Sequence, residues 1–344
     1  MTAPAATTCE VRQQGDLEVL TWPRLDGLDA QVMVTTRQGG VSPGPYASLN
    51  LSLSVGDEPG AVLENRRRVA AALGVGLDDF VFARQVHGAR AQVVSARDRG
   101  RGARSLGDAV PDTDALVTQD LGTVLAILVG DCVPVILLDP AARVLACVHA
   151  GWRGTVGRVT AAALAAMATL GARPQDVLAG IGPAIAPDRY QVGEEVAEQV
   201  SQAFDGDTAS LLRPDGSGRW LLDLWEANRR SLIEAGVPDH QVQLAAVPTG
   251  PGASPADPGI RPASPDAGPA RPAGLGTGEA APDTAPAGSA APDGAPDGLF
   301  FSDRTARPCG RFALVARLTR SGPQHSGPQH SGPQHSRLRQ RESA

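Results

Sequence analysis

The sequence predicts an α+β domain in which mixed β-sheets with flanking helices surround a single core. Three observations carry that expectation. Short apolar runs rich in Val, Ile, Leu and Thr recur along the chain, helical spacing separates only some of them, and Gly- and Pro-dense loops punctuate both kinds of segment. The strict strand–helix alternation of a parallel α/β fold is absent.

Residues 1–15 read as a flexible arm. Leu17–Trp22 and Gln31–Thr36 are β-type runs, followed by the Gly/Pro-dense stretch Thr36–Tyr46, which must be a loop. Its Arg37, and Asn50 just beyond, offer polar groups to a ligand. Between Glu58 and Leu73 the residues Ala61, Val62, Asn65, Val69, Ala72 and Leu73 have helical spacing, and Gly74 supplies the stop. Arg66, Arg67 and Arg68 lie within that helix pointing roughly 100° apart, so one or two at most reach any single site. Phe80–Gly88 reads as a strand with Val81, Ala83, Gln85 and His87 on one face. Asp112 and Asp114 precede the next strand and read as carboxylates that satisfy a loop rather than as an acid/base pair.

The stretch Thr123–Gly154 holds two apolar runs joined at Asp139-Pro140-Ala141-Ala142. A hairpin with a two-residue turn at Pro140-Ala141 would set Cys132 directly across from His149. Opposed Cβ atoms lie about 4.5–5.5 Å apart, close enough for a thiolate and an imidazole to share one Zn²⁺. Gly151–Gly154 then feeds an alanine-rich helix expected over Thr155–Leu170, so its N-terminus with Arg153 reads as an anion site. Further helices are expected over Val192–Phe204 and Leu221–Ala235, and a last strand over Arg311–Leu318.

Composition divides the rest. Residues 250–298 contain eleven prolines and ten glycines and no aromatic residue before the Leu299-Phe300-Phe301 run, the signature of a disordered insertion. Residues 320–344 carry Ser-Gly-Pro-Gln-His three times, placing His325, His330 and His335 in a low-complexity tail. The folded unit is therefore expected to be residues 16–249 plus 299–319.

All 31 basic residues are arginines. Without lysine there is no Schiff-base or P-loop chemistry. A net charge of -6 gives no electrostatic reason to expect nucleic acid or an anionic membrane as partner. Four irregularly spaced cysteines do not form a disulfide framework, and no signal peptide or membrane span is apparent, so a reduced cytoplasmic setting is expected.

Three histidines fall in the foldable region: His87, His149 and His240. That is too few for coupled coppers, whereas one site with two His and one Cys suits Zn²⁺ and leaves a position for water.

Several motifs now converge. Thr35-Thr36-Arg37-Gln38-Gly39-Gly40-Val41-Ser42, Ser48-Leu49-Asn50-Leu51, Glu64-Asn65-Arg66, Gln85-Val86-His87-Gly88, Asp114-Ala115-Leu116-Val117-Thr118, Asp131-Cys132-Val133-Pro134-Val135 and His149-Ala150-Gly151-Trp152-Arg153-Gly154 together resemble the laccase-domain family. That family also goes by the names polyphenol oxidase, purine nucleoside phosphorylase and peptidoglycan editing factor. The resemblance spans roughly Gln31 to Arg317 and implies a laccase-domain fold, similar to that of the cytotoxic necrotizing factors.

It further implies a metal site at His87, Cys132 and His149, which are also the catalytic residues, with Zn²⁺ as the ion and Cu²⁺ as the alternative. Its implied substrates are purine nucleosides and inorganic phosphate: phosphorolysis of adenosine, inosine and methylthioadenosine, and deamination of adenosine. Arg66 and Arg153 are then the first candidates for phosphate, with Arg37, Asn50 and Arg304 behind them. Competing readings are a peptidoglycan-precursor editing hydrolase, a copper-dependent polyphenol oxidase and a Cys–His hydrolase. The chain departs from the family's closing motif at Asp303, Thr305, Ala306, Arg307 and Cys309, which puts the C-terminal wall of the site in doubt.

Overall fold

The computed structural model describes residues 9–250 and 298–320. Their elements are β1 (Glu10–Gln14), β2 (Leu17–Thr21), β3 (Ala30–Thr35), α1 (Pro59–Ala72), β4 (Phe80–Phe82), β5 (Ala91–Val93), β6 (Ala115–Thr118), β7 (Val124–Val129), β8 (Val133–Asp139) and β9 (Val144–Ala150). Then follow α2 (Trp152–Val156), α3 (Val159–Ala168), β10 (Leu178–Ile181), β11 (Gln191–Gly193), α4 (Glu194–Ala203), β12 (Leu212–Pro214), β13 (Arg219–Leu222), α5 (Leu224–Glu234), β14 (Val242–Leu244) and β15 (Phe312–Leu318).

Two six-stranded mixed sheets dominate, in the orders β1-β2-β3-β15-β7-β4 and β14-β10-β8-β9-β6-β5, with a small ribbon β11-β13-β12 beside them. The expected α+β class is what is found. Ile127, Phe312 and Leu314 of the first sheet pack with Leu116, Ile136, Leu145 and Cys147 of the second, forming the central layer of the core. The outer face of the second sheet is covered by α3 and α5 through Val159, Ala163, Met167 and Leu232. α1 covers the first sheet with Val69 and Ala70. The core thus has three layers, and β8 and β9 are buried on both faces along their whole length. Strands buried on both faces need no polar alternation, which is why these two read as continuous apolar runs.

β15 pairs with both β3 and β7, so residues that follow the long Pro/Gly-rich segment complete the middle of the first sheet. The two ends of that segment meet: Gly250 N–H donates to the carbonyl of Phe300 at 3.3 Å. The bulk of the segment, the histidine-bearing tail repeats and residues 1–8 lie outside the described residues.

Four expectations are corrected. Part of the arm expected over 1–15 is a strand, because Glu10–Gln14 pairs along its length with β2 through a two-residue Gly15-Asp16 turn; Gly15 takes φ +60, as such a turn requires. The strand expected over Phe80–Gly88 stops at Phe82. Beyond it the Gln85 side chain replaces the ladder, donating to Leu128 O at 2.7 Å and accepting from Leu128 N–H at 2.8 Å. The helix expected over Thr155–Leu170 is two helices, broken where Arg158 adopts φ +63.

The fourth correction concerns the hairpin register. β8 and β9 pair with Pro134 opposite His149 and Asp139 opposite Val144, through a four-residue turn rather than a two-residue one. Asp139 explains the longer turn: its Oδ1 accepts from the N–H groups of Ala141 and Ala142, and Arg143 closes it at φ +55. The difference from the expected register is two residues. Side-chain period in a strand is also two, so Cys132 and His149 keep the same face and become diagonal neighbours.

Candidate metal centre

Cys132 is the residue before β8, His149 is the penultimate residue of β9, and His87 sits on the segment between β4 and β5. Their candidate ligand atoms, two imidazole nitrogens and a thiol sulfur, all lie within 4.8 Å of one another. The two rings meet edge to face at 75°, with centroids 4.8 Å apart.

Asp114 organises this cluster. It is fully buried, and its Oδ1 lies 2.8 Å from His149 Nδ1. A carboxylate only accepts, so Nδ1 carries the proton and Nε2 is left for the centre. The same carboxylate accepts from the backbone N–H groups of Val86 (3.3 Å), His87 (3.0 Å) and Gly88 (2.8 Å). Those bonds hold His87 at φ +60, a conformation uncommon for any residue but glycine. Burial alone would raise the Asp114 carboxyl; its bonds to His149 and to the backbone outweigh that and keep it below the usual range.

Electrostatics prepare the sulfur. Burial would raise the Cys132 thiol, but His149 and His87 draw it down to about 6. Burial would lower His149, and Cys132 together with Asp114 lifts it to about 9. Both shifts favour a thiolate beside an imidazolium over the neutral pair. Gly151 is needed for space: a Cβ there would stand 2.9 Å from Cys132 Sγ and 3.2 Å from His87 Cδ2.

The donor set fits zinc. Two imidazoles and a thiolate match its preferences, three protein ligands leave one position open, and a carboxylate backs one histidine. A coupled copper cluster does not fit, since the third histidine among the described residues, His240, is exposed and offers its carbonyl to Arg24.

Beside the triad two of the sequence candidates, Arg153 and Arg304, flank Tyr190, which sequence reasoning missed. Burial and the charge of Cys132 push the Tyr190 phenol up, while Arg304 and Arg153 pull the other way, so these groups share one neighbourhood. Arg304 lies over the Tyr190 ring at 5.4 Å, and the exposed Arg153 packs on Trp152 at 4.4 Å. Asp131, also missed, accepts from Thr249 Oγ1 and from Arg304 N–H. The signal for Asp114 was available, because a metal-bound histidine generally has a carboxylate behind it. Nothing in the local sequence marks Tyr190.

Three of the five phosphate candidates are placed elsewhere. Arg66 is 1% exposed, stacks on Phe82 at 4.0 Å and donates to the carbonyls of Leu51, Gly102 and Ala103, so it is an internal strut. Desolvation lowers its guanidinium to about 9. Arg37 is buried, donates twice to Ala47 O and lies over Phe301. Asn50 is buried and bonds Asp57 and the backbone of Ser52 and Arg311. The helix-terminus anion site also loses its basis, because α2 has only five residues and the macrodipole needs length.

The doubtful C-terminal wall is intact. Phe300 and Phe301 are buried, and the departures compensate one another: Asp303 pairs with Arg307 at 2.5 Å and with Arg311 at 2.7 Å.

Residues 31–252 match the family model described as multi-copper polyphenol oxidoreductase laccase. The chain belongs to this family. This laccase-domain protein is 40% identical over 213 residues, 62% of its own length and 78% of the relative, to purine nucleoside phosphorylase YlmD of Geobacillus stearothermophilus. It is 47% identical over 205 residues, 60% and 75% of the two chains, to a purine nucleoside phosphorylase of Deinococcus radiodurans. It is 38% identical over 224 residues, 65% and 85%, to an adenosine deaminase from an unknown prokaryotic organism. Among solved structures it resembles the YlmD protein of Geobacillus stearothermophilus, with a TM-score of 0.72, 31% identity, and 90% of this chain and 99% of the other covered. A hypothetical protein, YfiH, of Bacillus licheniformis gives a TM-score of 0.73 at 28% identity with the same coverage.

Proposed function

We propose that this laccase-domain protein is a zinc-dependent purine nucleoside enzyme that cleaves adenosine, inosine and methylthioadenosine with inorganic phosphate and also deaminates adenosine. The observation that carries the reading is the convergence of His87, Cys132 and His149 with Asp114 behind His149. Relatives bearing phosphorylase and deaminase names, at 47% and 38% identity, support the substrate class.

His87, Cys132 and His149 would hold the ion, which when bound supplies Lewis acidity toward a substrate oxygen or a water. The remaining work falls to the chain. Asp114 fixes the tautomer of His149 and the backbone of His87, so the donor atoms are aimed before any ligand arrives. Arg304 and Arg153 supply the positive charge that holds phosphate for attack on ribose C1′ as the bond from C1′ to the base breaks. The Tyr190 ring offers an aromatic face to the purine.

One observation favours a second reading, a Cys–His hydrolase. Cys132, His149 and Asp114 form a chain of thiolate, imidazole and carboxylate with the thiol drawn down to about 6. Incubating wild type and His87→Ala with adenosine and phosphate separates the readings. The phosphorylase reading expects adenine and ribose 1-phosphate from wild type, a loss of roughly 10²-fold or more in the variant, and no oxygen consumption with phenols. Absence of nucleoside turnover together with rapid alkylation of Cys132 by iodoacetamide would favour the hydrolase.

A further inference from the structure

We propose that Asp131 is a positioning residue: its carboxylate fixes Arg304 in place and thereby sets the grip of the site on inorganic phosphate. The inference rests on the phosphorolysis reading above. Asp131 directly precedes Cys132 and takes φ +90, a left-handed conformation costly for a residue with a side chain. Its own carbonyl accepts from Ile185 N–H at 3.0 Å, which helps hold that conformation. Strain of this kind persists where the surroundings over-determine it.

The carboxylate gathers donors from two distant parts of the chain. Oδ1 accepts from Thr249 Oγ1 at 2.5 Å, Oδ2 from Arg304 N–H at 2.7 Å, and the Ser302 hydroxyl donates as well. Thr249 lies just before the long Pro/Gly-rich segment, and Ser302 and Arg304 lie just after it. One side chain therefore sets both flanks against the residue that carries the sulfur ligand.

What Asp131 bonds matters as much as where it sits. It holds the main chain of Arg304, not its guanidinium, so the group that positions the arginine does not neutralise it. Among the described residues the guanidinium instead lies over the Tyr190 ring and makes one long contact, Nη2 to Gln191 O at 3.3 Å. A planar fork with five donors retains capacity for an oxyanion there. Asp303, the neighbouring acid, is occupied by Arg307 and Arg311 and does not compete for it.

The test measures inorganic phosphate binding by calorimetry and the phosphate KM of adenosine phosphorolysis, with metal content recorded for every protein. In Asp131→Asn an amide N–H replaces one acceptor, and phosphate Kd and KM are expected to rise about tenfold with kcat and metal content near wild type. Arg304→Gln, which removes the charge itself, should raise phosphate Kd and KM at least as much, and the double variant should be no worse than Arg304→Gln alone, because Asp131 acts on phosphate only through Arg304. If Asp131→Asn does not fold, Thr249→Val serves: it should weaken phosphate binding, and Thr249→Ser should restore it. Unchanged phosphate binding in Asp131→Asn or Thr249→Val, or full additivity with Arg304→Gln, would overturn the inference while leaving phosphorolysis intact. No phosphate binding by wild type would overturn the phosphorolysis reading and this inference with it.

Discussion

At single residues, Asp114 and Gly151 do more for the centre than their chemistry suggests. Asp114 joins His87 and His149, which arrive from different segments, so Asp114→Asn should lower zinc affinity by roughly 10–100-fold, read by competition with a chelator. Gly151→Ala should fold normally by circular dichroism yet bind metal poorly, because its Cβ would press on Cys132 Sγ from 2.9 Å. Protons compete with the ion in a definite direction. With Cys132 drawn down to about 6 and His149 lifted to about 9, His149 keeps between those values a proton on Nε2, the nitrogen that would face the ion. Metal binding must release it, so apparent affinity should climb by about tenfold per pH unit from 6 toward 9; a flat profile in chelator-buffered titrations would contradict this. Arg66 shows where reading residues one by one falls short. Its helical position was legible, but the carbonyls of Leu51, Gly102 and Ala103 that take up its Nε and Nη1 come from segments no local pattern connects.

At the level of elements, the β8–β9 hairpin shows why a register can be misread and its consequence still hold. The apolar runs and the Asp139-Pro140 turn were visible in the sequence. The turn length was not, because it depends on Asp139 capping two N–H groups. Faces survived because the error was even. Asp139 is buried and also accepts from Arg173 N–H at 3.0 Å, tying the turn to the segment after α3. Asp139→Ala should cost about 1–3 kcal/mol of stability in denaturant melts, with the metal ligands still able to bind. The broken helix after β9 was hidden for a related reason. Alanines favour a helix over 161–168, but none stands at 155–160, where Gly157 caps α2 and the left-handed Arg158, whose guanidinium bonds Glu234 and Ala203, completes the break.

For the whole molecule, two mixed sheets with helices on their outer faces place the triad where loops from both sheets meet. The class was legible because apolar runs, helical spacing and turn residues agreed with one another; the layering was not, since β15 reaches the middle of the first sheet only by a pairing remote in sequence. The close approach of Gly250 and Phe300 makes a further expectation. Replacing residues 251–297 with a short Gly/Ser linker should leave the melting temperature and metal content of the protein unchanged, because the β15 contacts and the Asp131 bonds lie outside the removed span. The central claim is that His87, Cys132 and His149 form one metal centre. Elemental analysis of wild type and His87→Ala, purified in parallel without added metal, tests it most directly. About one zinc per wild-type chain and a large loss in the variant is the predicted result; equal, substoichiometric metal in both, with Cys132 freely alkylated, would contradict it.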